Sequence, residues 1–344
     1  MTNAAMDWLL RPPPMMEPVV RSDAPPQPEP APTAAPEPAP TAASEPTSWA
    51  DVDAALGPIA WAWERWLADG FLTILASVSG LGKSSLALRI AGCYTAGCPW
   101  PDGTPFEGER GRVLWCEAES AQALNLARCR AWGLDPRQIL APLPDGLQDV
   151  DLTNQAHRQA IARVARRDDV RLIVLDSLSG AVAGRRDENS SEMLQIVSWL
   201  SRLARDVGKP VLTTHYLRKK GLQDGGEAVT LDRLRGSSAI VQVARLVWAL
   251  DVPNPARHEA LRLSVIKSNL AKFPEPLGLS ITESGLTFTA APKAEREPSA
   301  QEQAERFLLD LLSAGPVESA DVLAAAQRAG ISERTLKRAK ASLW

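Results

Sequence analysis

The stretch that decides the fold reads Phe71-Leu-Thr-Ile-Leu-Ala-Ser-Val-Ser-Gly-Leu-Gly-Lys-Ser84. An apolar run of strand character leads into a loop with two glycines, and the residues after Ser84 read as a helix. A strand, a Gly-containing loop that ends in Gly-Lys-Ser and a helix are the context of a phosphate-binding loop. Such a loop turns successive backbone N–H groups toward one point, and the helix N-terminus adds partial positive charge there.

The predicted phosphate site gives two side chains distinct roles. Lys83 is expected to reach the β- and γ-phosphates of a nucleotide, and the Ser84 hydroxyl to bind Mg²⁺. The G-x-x-x-x-G-K-S pattern has Gly where this chain has Ser77, a small residue that we expect to fit. A chance Gly-Lys-Ser in a surface loop is the alternative, which the flanking strand and helix disfavour. The predicted nucleotide-binding residues are Ser79, Gly80, Leu81, Gly82, Lys83, Ser84 and Ser85.

Composition narrows the class of protein. With 344 residues, the chain is long enough for one large domain and a small one. Its formal net charge of −3 gives no global basic field, so a contact with nucleic acid needs a local basic patch. No apolar run approaches the ~20 residues of a membrane span, and the N-terminus has no signal-peptide core. We therefore expect no membrane contact. The cysteines at positions 93, 98, 116 and 129 form no Cys-x-x-Cys pair, so we expect reduced thiols in the cytoplasm, with a redox or metal role for Cys93 and Cys98 as the alternative.

The chain is predicted to divide into four parts. Residues 1–48 are rich in Pro, Ala and Glu, which predicts an extended, disordered tail. Residues 49–290 alternate apolar runs with helical patterns, which predicts an α/β domain whose mainly parallel sheet is flanked by helices. Residues 291–300 read as a charged linker, and residues 301–344 as a small all-α module.

Seven runs of the α/β domain have strand character. They are residues 71–76, 112–116, 170–176, 209–215, 245–250, 261–267 and 277–281. Trp61, Trp63 and Trp66 come just before the first strand, and their spacing of two and three does not define one helical face. We expect them to brace the entrance of the core, with stacking on a nucleotide base as the weaker alternative.

Acidic residues stand at the ends of two predicted strands. Asp176 ends the strand 170–176, and in phosphate-loop ATPases an acid there holds Mg²⁺, usually through water. Glu117 and Glu119 follow the strand 112–116, where a carboxylate can orient and deprotonate an attacking water. A structural role for Asp176 and a solvated loop charge at either Glu are the alternatives. Strand-end geometry favours Glu119 over Glu117 for the catalytic role.

His215 ends the strand that follows the one of Asp176. Its imidazole is expected to hydrogen-bond the γ-phosphate or its water and to report hydrolysis to the next loop, or else to be structural. That loop carries Arg218-Lys-Lys-Gly221, and a basic loop suits a nucleic-acid backbone. A solvated surface loop is the alternative.

Several of these segments occur together in one known family. They are Ser79-Gly-Leu-Gly-Lys-Ser84, Trp115-Cys-Glu-Ala-Glu119, Ile173-Val-Leu-Asp-Ser177, Thr214-His-Tyr-Leu-Arg-Lys219, Arg235-Gly-Ser-Ser238 and Ile266-Lys-Ser-Asn269. Over roughly residues 58–285 the chain resembles the RecA-like ATPases of the RepA-type plasmid replicative helicases, relatives of DnaB and RecA. The His-x-x-Arg-Lys and Arg-Gly-Ser-Ser segments are the most discriminating part of the resemblance.

The resemblance implies a ring, usually a hexamer, that binds ATP and Mg²⁺ at subunit interfaces and passes single-stranded DNA through a central channel. It implies that Glu119 is the catalytic carboxylate. It also makes Arg235 and Lys267 candidates for cations that act across the interface on the transferred phosphoryl group. Asn269 stands where related DnaB-type rings have a second cation. The alternative for Arg235 is a role within its own chain, as a helix cap or in a salt bridge.

The C-terminal module has a basic helical pattern of its own. The segment Ile331-Ser-Glu-Arg-Thr-Leu-Lys-Arg-Ala-Lys-Ala resembles the recognition helix of a helix-turn-helix. Arg334, Lys337 and Arg338 share one face by their spacing, while Leu336 and Ala339 face the module's interior. A basic face suits DNA phosphates, and a small protein-docking bundle is the alternative.

Three hypotheses follow for the whole chain. The first is an oligomeric, Mg²⁺-dependent ATPase that moves on or remodels DNA, as a replicative helicase of a plasmid, phage or integrated element does. The second is a nucleotide-switched DNA-binding regulator without unwinding activity. The third is a small-molecule kinase, which is disfavoured because residues 216–290 read as a RecA-like second half without an Arg-rich lid.

Overall fold

The computed structural model describes residues 47–182, 191–218, 229–234, 237–254, 257–293, 300–313 and 315–343. The chain divides into two compact units, Met1–Gly57 and Pro58–Trp344. In the first unit, helix α1 (Trp49–Leu56) begins at a capping box in which Ser48 and Asp51 satisfy each other's backbone N–H groups. The predicted disordered tail falls almost wholly on residues outside the described part.

The second unit is built on a large sheet. In chain order the strands are β1 (Trp61–Trp63), β2 (Leu67–Ala68), β3 (Leu72–Ser77), β4 (Arg112–Glu117), β5 (Ile139–Leu140), β6 (Val170–Asp176), β7 (Val211–Tyr216), β8 (Leu246–Asp251), β9 (Leu261–Ser268), β10 (Leu277–Thr282) and β11 (Gly285–Ala290). Strands β1 and β2 form a small antiparallel pair. The others form one sheet in the order β11-β10-β9-β8-β3-β7-β6-β4-β5, which is parallel from β8 to β5 and antiparallel from β8 to β11.

Helices cover both faces of this sheet. They are α2 (Lys83–Ala96), α3 (Gln122–Ala131), α4 (Gln155–Ala165), α5 (Ser191–Val207) and α6 (Ser237–Val243). Alternate residues of each strand face opposite layers, so Leu75 packs with α2 and α3 while Ile74 packs with α4, α5 and α6. The predicted α/β fold with a mainly parallel sheet is therefore confirmed.

The structure departs from the predicted elements mainly at the antiparallel edge. Strand β11 was not predicted, although its sequence Gly-Leu-Thr-Phe-Thr-Ala alternates apolar and polar residues as a half-buried strand does. Strands β1 and β2 were also missed, since two or three residues are too few to show a period. Strand β7 begins at Val211 instead of residue 209, and β8 ends at Asp251 instead of residue 250.

Tryptophan rings fill one end of the core beside α2. Trp63 stacks on Trp66 at 4.7 Å and on Trp100 at 5.5 Å between ring centroids. Trp248 meets both Trp63 and Trp66 edge-on, and its indole N–H donates a hydrogen bond of 2.9 Å to the Trp66 carbonyl. The prediction that the early tryptophans brace the core is confirmed for Trp63 and Trp66, whereas Trp61 is only half-buried.

The C-terminal residues form three helices, α7 (Ala300–Leu312), α8 (Ser319–Arg328) and α9 (Glu333–Leu343). Their small core contains Leu308, Leu336 and Ala339, as the sequence pattern predicts for α9. The basic residues of α9 are exposed, and Lys337 forms an ion pair with Glu333 at 2.8 Å. The resemblance to a helix-turn-helix stays a prediction, as does the division of the chain into domains. Within the described residues, no helix combines the length and apolar character needed to cross a membrane.

Candidate nucleotide site

The loop between β3 and α2 has the conformation that its glycines allow. Gly80 and Gly82 adopt positive φ angles of 82° and 87°, which lie in the left-handed region that favours glycine. A Cβ atom on Gly82 would also overlap the side chain of Ile281 at the end of β10. Helix α2 then begins at Lys83, so its free N–H groups open onto the loop. The left-handed conformation therefore favours glycine at position 82, whereas the overlap with Ile281 involves only the end of a flexible side chain.

Lys83 lies inside the loop and faces the ends of the neighbouring strands. Its ammonium donates to the Ser77 hydroxyl and to the Val78 carbonyl, both at 3.3 Å, and lies 4.2 Å from the centroid of the Tyr216 ring. Burial lowers the pKa of Lys83, and the charges of Glu119 and Asp176 oppose that shift. A phosphate group bound at the loop would supply the anionic partner that this buried cation favours.

Asp176 ends β6 beside the start of α2. Its side chain is 3% exposed, and it accepts hydrogen bonds from the hydroxyls of Ser84 and of Thr214, the latter at 2.6 Å. Burial raises the pKa of Asp176, while those two hydroxyls and Lys83 act in the opposite direction. A hydroxyl and a carboxylate in contact are hard oxygen ligands of the kind Mg²⁺ prefers, so Ser84 and Asp176 fit the predicted metal site.

Glu119 lies in the loop after β4 and faces the cluster that Lys83, Ser84 and Asp176 form. Its carboxylate accepts from the Tyr216 hydroxyl at 2.8 and 3.0 Å and from the Ser177 hydroxyl. Tyr216 thus contacts both Lys83 and Glu119. The predicted lysine, metal-binding acid and catalytic acid therefore converge at the carboxyl ends of β3, β6 and β4.

Glu117 has a different environment from Glu119. It is 6% exposed, and its carboxylate accepts from the indole N–H of Trp115 at 3.3 Å, the Asn125 amide at 3.0 Å and the backbone N–H of Glu119 at 3.1 Å. Burial raises the pKa of Glu117, with a further contribution from Asp176. Its contacts are those of a structural anchor between β4 and α3.

A family model described as an AAA domain matches residues 36–221, more than half of the chain. The chain belongs to the AAA domain family. No curated protein sequence matches it.

Two solved structures resemble this chain at low sequence identity. The ATPase domain of G40P has a TM-score of 0.51 at 13% identity, and the match covers 70% of this chain and 95% of that one. A DnaB-like replicative helicase, described with its interactions with primase, has a TM-score of 0.50 at 14% identity, and the match covers 70% of this chain and 64% of that one. These likenesses establish the fold, which is that of the RecA-like phosphate-loop ATPases.

Three predicted residues remain, and the structure describes two of them. His215 is fully buried, with its Nδ1 atom 3.2 Å from the Ser179 hydroxyl. Lys267 donates to the carbonyls of Val241 and, at 2.6 Å, of Ala244, at the C-terminal end of α6. Arg235 lies outside the described residues. The predicted roles of His215, Lys267 and Arg235 stay predictions.

The sequence reasoning gave no role to several residues that hold Glu119 in place. Ser120, next to Glu119, has a positive φ of 53°, and its N–H and hydroxyl donate to Asp149 at 3.0 and 2.5 Å. Gly180 lies so close to this loop that a Cβ atom on it would overlap the Ala118 carbonyl oxygen and lie 3.0 Å from the Glu119 Cγ atom. Ser177 and Tyr216 could have been identified from the sequence as hydroxyl-bearing residues at the ends of strands. No local sequence pattern distinguishes Asp149 or Gly180.

We expect Gly180→Ala to slow ATP turnover by moving Glu119. A displacement near 1 Å can cost on the order of 10²-fold in rate, and nucleotide affinity is expected to change little because Lys83 and Ser84 are untouched. Steady-state kinetics would give the change in kcat and KM. Gly108→Ala is the matched control, because the nearest atoms there belong to the Phe106 side chain at 3.1 Å. An unchanged kcat in Gly180→Ala would contradict the positioning role.

Proposed function

We propose that this protein hydrolyses ATP with Mg²⁺ and works as an oligomeric, hexameric motor on DNA, as a replicative helicase does. The observation that carries the proposal is the convergence of Lys83, the Ser84–Asp176 pair and Glu119 at one edge of the sheet. A nucleotide bound at the loop would meet a cation, a metal site and a general base within one cluster.

Each residue of the cluster has a distinct task in hydrolysis. Backbone N–H groups from Gly80 to Ser85 and the Lys83 ammonium hold the β- and γ-phosphates. Ser84 and Asp176 would hold Mg²⁺, which would supply positive charge to the phosphate oxygens. Glu119 orients the attacking water and accepts its proton. Tyr216 and Ser177 share the Glu119 carboxylate and so orient it toward Lys83.

The action on DNA rests on the fold and on local charge. One of the solved structures of similar fold is that of a DnaB-like replicative helicase. Exposed basic residues of α9 offer a phosphate-binding surface: Arg334, Lys337 and Arg338. The proposed substrate is single-stranded DNA that passes through a central channel of the ring. The proposed location is the cytoplasm of a host that carries a plasmid, phage or integrated element.

Assembly into a ring would complete the catalytic site. Arg235 and Lys267 are the proposed cations that act on the phosphate of a neighbouring subunit, where an arginine contributes about 10³–10⁵ in rate. Arg235 ranks first because its guanidinium makes a bidentate contact with phosphate and Lys cannot. Lys267 would have to leave the carbonyls of Val241 and Ala244 to take that role.

A nucleotide-switched DNA-binding regulator is the second candidate. It is favoured by one observation, the separate core of the α7–α9 module beneath an exposed basic face. Such a regulator would bind DNA in a nucleotide-dependent way and would not separate strands.

Turnover measured with and without single-stranded DNA distinguishes the two candidates. For a motor we expect DNA to stimulate ATP hydrolysis, strand displacement to require ATP, and native mass with Mg²⁺-ATP to reveal a hexamer. Lys83→Ala is the control and should abolish turnover, because it removes the cation from the phosphates. Turnover that persists in Lys83→Ala would contradict the site, and DNA binding without displacement would favour the regulator.

The two neighbouring glutamates should respond differently to the same substitution. We expect Glu119→Gln to bind ATP and to lower kcat by about 10²–10⁴-fold, the usual contribution of a general base. Glu117→Gln should leave turnover close to the wild type and lower the free energy of unfolding by about 1–3 kcal/mol, since its amide disturbs buried hydrogen bonds. Kinetics and denaturant unfolding of both variants would check this. The reverse ranking in kcat would assign the catalytic role to Glu117.

A further inference from the structure

A cavity lies at the edge of the sheet opposite the phosphate loop. It measures about 720 Å³ and is bordered by residues that precede β3 and β7, including Asp69 and Lys209. Its walls carry four aromatic side chains, Trp61, Tyr94, Trp100 and Phe106. The nucleotide cluster is at the carboxyl ends of the same strands, so this cavity is a separate feature of the fold.

Half of the six charged residues that border the cavity have partners among the described residues. Arg171 forms an ion pair with Glu109, and the Lys209 ammonium donates to the carbonyls of Ala165 and Arg167, both at 2.7 Å. The remaining acids that border it are Glu64, Asp69 and Glu107. Carboxylates thus outnumber cations, and the lining favours a positively charged guest.

Asp69 is the most deeply placed of these acids. Its carboxylate has no hydrogen-bond partner among the described residues, and burial raises its pKa to about 6. A half-buried carboxylate without a partner is unfavourable, because desolvation is not repaid by a donor. No residue in the described part of the chain therefore compensates the charge of the Asp69 carboxylate.

Tyr94 presents a second unsatisfied group beside Asp69. Its side chain is 4% exposed, and its hydroxyl has no hydrogen-bond partner in the described residues. The ring is fixed by edge-on contacts with Trp100 and Phe106 at 5.7 and 5.3 Å. Burial raises the pKa of Tyr94, and the charge of nearby Asp69 raises it further. Buried hydroxyls are normally hydrogen-bonded, so the described part of the chain leaves this one without the partner that it would usually have.

We propose that this cavity binds an organic cation, an alkylammonium or guanidinium group, that donates to the Asp69 carboxylate and the Tyr94 hydroxyl against the aromatic walls. A cation supplies the N–H donors that both oxygens lack, and charge-assisted hydrogen bonds are the strong ones. Aromatic faces add attraction for the same charge. The group belongs either to a free amine or guanidine or to a Lys or Arg side chain of a protein partner.

Calorimetric titration of the full-length protein would test the proposal with three probes. Agmatine represents a free guanidine, acetyl-Gly-Arg-Gly-amide a protein side chain, and acetyl-Gly-citrulline-Gly-amide the uncharged control. We expect the cationic probes to bind and the citrulline peptide not to bind. Tighter binding of the peptide would indicate a protein source, and tighter binding of agmatine a small molecule.

Variants connect the binding to the two oxygens. We expect Asp69→Asn to weaken binding at least about tenfold and Tyr94→Phe to weaken it several-fold, consistent with loss of a charge-assisted and a neutral hydrogen bond. Glu259→Gln, an exposed acid elsewhere, is the control and should bind normally. Unchanged ATP turnover in the variants would verify folding.

Binding of the cationic probes should also weaken as pH falls from 7.5 to 5.5. Protonation of Asp69, whose pKa is about 6, removes its charge, and the basic residues that face the same space are Arg171 and Lys209. Glu64, Glu107 and Glu109 border the same space, and Tyr94 stays neutral. No binding at millimolar concentration, equal binding of the citrulline peptide, or full affinity in Asp69→Asn would overturn the proposal and leave water as the occupant.

Discussion

Parallel pairing of β3, β7 and β6 is the constraint on which the nucleotide site depends. Ser77 pairs with Tyr216 and Leu175 with Thr213, so the three strands end at one edge of the sheet. That register brings the Tyr216 ring to Lys83 and the Thr214 hydroxyl to Asp176. A slip of one residue would turn these side chains to the opposite face and separate the groups.

The sequence predicted the parts of this site that strand ends determine. Apolar runs ending in Asp176 and near Glu119 were recognisable, because buried parallel strands are nearly continuous in apolar residues. The alternation within β7 was not, since a fully buried strand does not reveal which residues face each layer. His215 was singled out because it ends the predicted strand, and the structure shows in addition that the neighbouring Tyr216 contacts Lys83 and Glu119.

Contacts between distant segments could not be predicted from local pattern. Asp149 binds Ser120 from another loop, and Ile281 occupies the space that a Cβ on Gly82 would need. The hairpin of β10 and β11 is held near α3 by the hydrogen bond of 3.2 Å from the Trp132 indole to the Glu283 carbonyl. Each contact depends on tertiary packing, which sets side-chain positions after the strands have paired.

The affinity for a non-hydrolysable ATP analogue, with Mg²⁺ and with EDTA, tests the nucleotide site most directly. We expect Mg²⁺ to raise the affinity of the wild type and of Glu117→Gln, whose carboxylate anchors α3. In Asp176→Asn the effect of Mg²⁺ should be largely lost, because the Ser84–Asp176 pair is the proposed metal site. An equal Mg²⁺ effect in Asp176→Asn and the wild type would contradict the assignment.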